Sequence, residues 1–199
     1  MYWLFVIGGI GLTLGLNMIF DFSWQTFLDF LFVFIIILLP SIISLLFQVV
    51  FPKKWLDGKA KIFQQKKFEK NLYRKIGVKN WKDKVPNCGN VGKGVVNENN
   101  INLDEKNINY FVYQTCLGEI VHKFCIATCL ISTILLGIFR FDLFFKMVLP
   151  VWFVYTTINI LSIIIQRYNR PRLNIMLAKI QRANRSKAAN DNENNAKKE

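Results

Sequence analysis

Four stretches of this chain carry almost no charge, and they constrain its fold more than any motif does. Residues 2–20, 30–51 and 147–166 contain no Asp, Glu, Lys or Arg, and a shorter stretch at 124–139 lies between Lys123 and Arg140. A helix rises about 1.5 Å per residue, so about 20 apolar residues cross a hydrocarbon core. The flanking cations of the shorter stretch have long stems that snorkel to the interface and make up its length. The pattern predicts an all-α integral membrane protein, a bundle of four transmembrane helices at about residues 2–20, 30–51, 124–140 and 146–166. The first is read as a retained span: no Lys or Arg precedes it, and Asp21-Phe22-Ser23-Trp24 follows where a small-residue cleavage pattern would stand.

Charge then sets orientation. The chain holds 26 Lys and Arg against 13 Asp and Glu. Residues 52–121 carry 14 basic and 7 acidic side chains, and residues 167–199 carry 9 and 3. Four spans put both basic regions on one side, which the positive-inside rule assigns to the cytosol, together with both termini. The reading is a multi-pass protein of the cell membrane: one membrane domain over 1–185 with a cytosolic loop at 52–121, then a disordered polar tail over 186–199. An excess of cations also implies anionic partners, whether nucleic acid, membrane lipid or a phosphorylated cofactor.

The loop divides by composition. Residues 53–84 interleave twelve basic and three acidic side chains with aromatic ones. Phe68, Leu72 and Ile76 recur every fourth position, which predicts a basic amphipathic helix lying in the interface against anionic lipids. Residues 87–109 hold eight Asn and three Gly and read as a polar loop, with structure resuming near Tyr110. Pro40 and Pro150 remove backbone donors inside spans and are expected to bend or open them. Gly8, Gly11 and Gly15 line one side of the first span, for close packing within the bundle or in a homo-oligomer.

Candidate chemistry is sparse. Cys88, Cys116, Cys125 and Cys129 give no disulfide framework, and one His with scattered Cys supplies no metal site. His122, the single histidine, follows Glu119 by three positions at the mouth of the third span. That spacing places both on one helix face, for general-base chemistry or for interfacial solvation. Arg167, Arg170 and Arg172 flank Tyr168 and Asn169 where the fourth span ends; they serve as a phosphate clamp or as a topological signal. No Gly-x-Ser-x-Gly elbow, glycine-rich phosphate loop or His-x-x-x-x-Asp motif occurs.

Three blocks together resemble one family. They are Lys79-Asn-Trp-Lys-Asp-Lys-Val-Pro86, Glu119-Ile-Val-His122 and Ile163-Ile-Ile-Gln-Arg-Tyr-Asn-Arg-Pro-Arg-Leu173. In order and kind they resemble the glycosyl-4,4′-diaponeurosporenoate acyltransferases, small membrane enzymes of carotenoid glycolipid synthesis, over roughly residues 50 to 180. The resemblance implies esterification of a sugar hydroxyl on a lipid-embedded glycoside. It further implies His122 as general base with Glu119 orienting it, no bound cofactor, and acyl-CoA or acyl carrier protein as donor. Arg167, Arg170, Arg172, Tyr168, Asn169, Trp81, Lys82 and Lys84 would then hold that donor. Two other classes fit the bare sequence: a non-catalytic scaffold or partner of an envelope complex, and a nucleic-acid binder using residues 53–84, which proximity to lipid makes unnecessary.

Overall fold

The computed structural model describes residues 23–50, 52, 55–82 and 104–196. The expected first span with Gly8, Gly11 and Gly15, and also Lys84 and Cys88, lies outside them. Among the described residues every regular element is helical. Helix α1 is Trp24–Val50, α2 Lys67–Lys75, α3 Val78–Trp81, α4 Glu105–Phe139, α5 Phe141–Leu143 and α6 Leu149–Ala196.

Local chemistry sets the boundaries. The Ser23 hydroxyl accepts from the Thr26 backbone N–H at 3.1 Å and opens α1. Asp104 does the same for α4, accepting from Asn107 N–H at 2.7 Å. Helix α4 therefore begins five residues before Tyr110, where the sequence reading placed it, because the cap lies inside the Asn-rich stretch. Arg140 is non-helical (φ −137°, ψ 55°) and turns the chain back. Between α5 and α6, Phe144–Val148 form a π-helical turn, with the Leu149 N–H bonded to the Phe144 carbonyl. Pro150 supplies no N–H directly after it, so the local opening expected at this proline takes the form of a slipped ladder.

Helix α6 passes through Pro171 and Ser186 and continues to Ala196, where a disordered end was expected. Two contacts and composition account for the difference. Gln181 and Asn184 donate to the two carboxylate oxygens of Glu105 at 2.9 and 3.1 Å. Arg185, Lys187, Ala188 and Ala189 beyond them are good helix formers.

Helices α4 and α6 run antiparallel along most of their lengths and supply the scaffold. Three apolar clusters lie along them. The first joins Phe30, Val33 and Ile37 of α1 to Cys129, Leu136, Met147 and Val148. The second joins Leu56 and Phe63 to Cys116, Leu117, Val121 and Cys125. The third pairs Ile108 and Val112 with Leu173 and Leu177. At the far end Arg140 bonds Asp29 at 3.1 Å and Asp142 at 3.2 Å, tying the α4 terminus to α1.

Two described helices, Glu105–Phe139 and Phe141–Asn190, are long and apolar enough to cross a membrane. Their outward faces stay apolar: Ile131, Ile138, Phe139, Phe145 and Phe153 are exposed, as are Phe32 and Ile35 of α1.

The basic segment 55–82 folds back on the α4–α6 pair. Gly58 is buried, and a Cβ there would run into Val112 Cγ1. Helix α2 buries Tyr73 and leaves Phe68 and Leu72 exposed, with Ile76 exposed just beyond it, so the expected apolar row forms and faces away from the protein. Gly77 ends this pair of turns at φ 63°, a left-handed conformation natural to glycine.

The Gly58 approach gives a direct check. Gly58→Ala should destabilise the protein by about 1–3 kcal/mol through overpacking. Adding Val112→Ala should recover part of that loss, as read by thermal unfolding in detergent; equal stability of the single variant and wild type would contradict the contact.

Candidate active site

The site begins with a carboxylate where burial should forbid one. Glu119, in the middle of α4, has no exposed surface. An isolated charge there would cost several kcal/mol, so it persists only with partners. Arg167 Nη1 and Lys123 Nζ each donate to Glu119 Oε1 at 2.6 Å. Glu119 Oε2 forms an ion pair with Arg170 Nη1 at 2.7 Å. That nitrogen also donates to the Phe63 carbonyl at 2.7 Å, and its contact with Oε2 is an ion pair rather than an aligned hydrogen bond.

The two arginines are then spent on backbone. Arg167 donates to the Ile62 carbonyl at 3.1 Å, the Gln64 carbonyl at 2.9 Å and Glu69 Oε2 at 3.0 Å. Arg170, 1% exposed, donates to the Thr115 hydroxyl and carbonyl at 3.0 and 2.8 Å and lies 5.0 Å from the Phe63 ring centre. Glu69 also accepts from the Lys66 backbone N–H at 2.7 Å, which opens α2. One network thus fixes the basic segment to both long helices.

His122 lies one turn further along α4, half-buried. Its Nδ1 is 2.8 Å from Asn159 Oδ1 on α6. Both Glu119 and His122 precede the charge-free stretch of α4. Burial tends to raise the Glu119 pKa, but the Lys123 bond and the Arg170 and Arg167 charges outweigh it and hold the carboxyl below its usual range. Burial lowers the His122 pKa and the Asn159 bond opposes it only in part, so the ring is neutral at neutral pH.

The expected residues therefore divide. Glu119 and His122 share a face, but the carboxylate engages cations and the imidazole meets Asn159, so Glu119 does not orient the ring. Arg167 and Arg170 are enclosed by protein acceptors and are not presented as a phosphate clamp. Arg172 is exposed, stacked 4.7 Å over the Tyr168 ring and donating to its hydroxyl at 2.8 Å. Tyr168 also meets Tyr73 edge-on, and Asn169 is half-buried beside it. The Trp81 indole N–H donates to the Ile76 carbonyl at 3.0 Å, closing the α2–α3 turn, and Lys82 follows half-buried.

Asn159 and Glu69 were missed by sequence reasoning. Each had a signal: Asn159 is an amide within a charge-free stretch, where polar groups are costly, and Glu69 is one of three acids among twelve cations. Among the described residues no cluster of His, Cys, Asp and Glu could hold a metal ion. Further along the same helices an apolar groove of about 450 Å³ is lined by Leu130, Ile134, Gly137, Phe144 and Trp152, among others.

A half-buried imidazole thus lies at the charged end of two helices long and apolar enough to cross a membrane. The chain belongs to the glycosyl-4,4′-diaponeurosporenoate acyltransferase family, whose model matches residues 59–179, more than half of its length. That range includes Glu119, His122, Asn159, Arg167 and Arg170. No curated protein and no solved structure matches the chain.

The network makes Glu119 a structural residue. Glu119→Gln should cost about 3–5 kcal/mol, since it strands buried guanidinium groups. The depressed pKa has the same sense: this stabilisation is present above the ordinary Glu value of about 4.3 and is lost as pH falls through the lower folded value. Thermal unfolding of Glu119→Gln in detergent checks it; wild-type stability would contradict the network.

Proposed function

We propose that this chain is a multi-pass protein of the cell membrane that transfers a fatty acyl group from acyl-CoA or acyl carrier protein to a sugar hydroxyl of a lipid-embedded glycoside. The observation that carries the reading is the placement of His122: the single imidazole of an acyltransferase-family chain, neutral through burial, where the apolar bundle meets its basic end. Exposed apolar surface on α1, α4 and α6 supports membrane embedding. The basic regions support a four-span topology with loop and termini in the cytosol. Phe68, Leu72 and Ile76, exposed among lysines, support contact of the loop with anionic lipid headgroups.

In the proposed reaction the sugar hydroxyl oxygen attacks the thioester carbonyl carbon while a ring nitrogen of His122 accepts the hydroxyl proton. The tetrahedral intermediate collapses, the carbon–sulfur bond breaks, and the imidazolium returns the proton to the departing thiolate. The products are the sugar ester and the free thiol, and no acyl-enzyme forms. The apolar groove between α4 and α6 suits an acyl or terpenoid tail. Surface cations at the basic end, Arg172 and Lys82 with them, attract the anionic donor carrier.

A positioned base contributes about 10²–10⁴ in rate. His122→Gln should therefore lose at least about a hundredfold in transfer of labelled palmitate from palmitoyl-CoA to a glucosyl carotenoid in vesicles, with thermal stability kept. Near-wild-type transfer would overturn the assignment. Removing charge with Arg172→Gln should raise the apparent donor KM and weaken its dependence on salt while kcat holds. An unchanged KM would assign Arg172 to topology alone.

A further inference from the structure

Asn159 carries an inference that rests on the reading of His122 as a base and deepens it. We propose that Asn159 is a positioning residue that holds the His122 imidazole in the tautomer with its hydrogen on Nδ1, leaving Nε2 as the bare, proton-accepting nitrogen.

Asn159 is 6% exposed, so both ends of its amide need partners. Its Nδ2 donates to the Tyr155 carbonyl one helical turn back at 2.8 Å. That places Oδ1, which has no hydrogen to give, against His122 Nδ1 at 2.8 Å. A bond of that length between them requires the hydrogen to reside on Nδ1. Flipping the amide would set Oδ1 against the Tyr155 carbonyl oxygen, two acceptors facing one another, so the α6 backbone fixes the amide and the amide fixes the ring.

The charged neighbours do not compete for it. Glu119 and Lys123 on α4 and Arg167 on α6 bind one another. Tyr155, whose carbonyl anchors the amide, lies in the same stretch of α6. Asn159 therefore does what a carboxylate does for the base in a hydrolase triad, but without charge: it selects the tautomer and leaves the ring neutral.

The test uses the fact that the chain has one histidine. The full-length protein, purified without a histidine tag and labelled at the histidine ring nitrogens, is placed in detergent micelles and read by nitrogen NMR. Wild type should show Nδ1 bearing hydrogen and Nε2 bare. Asn159→Leu should shift the ring toward the Nε2–H tautomer and lower kcat at least tenfold, with KM for palmitoyl-CoA and glucosyl carotenoid unchanged. Asn159→Asp keeps an acceptor and should keep the Nδ1–H tautomer and most of the alkaline rate, with the acidic limb of the pH–rate profile moved upward. A bare Nδ1 in wild type, or a spectrum unaltered by Asn159→Leu, overturns the inference. If Asn159→Leu does not fold, the wild-type and Asn159→Asp spectra decide alone. Full activity of His122→Gln beside the expected wild-type spectrum would instead overturn the base assignment and leave the tautomer assignment standing.

Discussion

A carboxylate with no exposed surface holds this architecture together. Glu119 can stay ionised inside the protein only because Arg167, Arg170 and Lys123 reach it from two helices. The arginines in turn need more acceptors than one carboxylate offers. The carbonyls of Ile62, Phe63 and Gln64 meet that need, so the segment that donates them is drawn onto the α4–α6 seam. Charge, helix pairing and the path of the basic segment are therefore one constraint seen from three sides. Such a network specifies geometry more than it adds stability: its desolvation cost is large, and its removal in part is worse than its removal whole.

This arrangement gives Glu119 and His122 different partners within a few residues of α4. Glu119 faces the network and His122, one turn on, faces Asn159. The imidazole is thus close to a strongly ionic cluster yet bonded to a neutral amide. Burial keeps that ring neutral, and the Asn159 amide opposes burial only in part. Glu119 instead ties α4, which carries the histidine, to α6 through Arg167 and Arg170.

The sequence disclosed the elements that depend on composition. Charge-free runs marked α1, α4 and α6 because hydrophobic length is read residue by residue. The row Phe68, Leu72, Ile76 marked the exposed side of α2, and His122 stood out by its rarity. Contacts between distant segments were not legible. Arg167 and Arg170 read as a topological signal or a ligand clamp, since a one-dimensional pattern does not say which cations find a buried carboxylate. Spacing put Glu119 beside His122 on a helix face, but α6 offered each a better partner. The continuation of α6 past Ser186 was not legible either, since the composition there is polar and the contacts of Glu105 with Gln181 and Asn184 just before it come from across the pair.

Acyl transfer to a membrane glycolipid would be read out by lipid mass spectrometry. Cells that make a glycosyl carotenoid would be compared with and without this chain, at matched acceptor levels. If the chain transfers acyl groups, the glycoside gains the mass of a fatty acid less water, and only where the chain is present. An acceptor pool of unchanged mass, with the protein inserted in the membrane and folded, would contradict it.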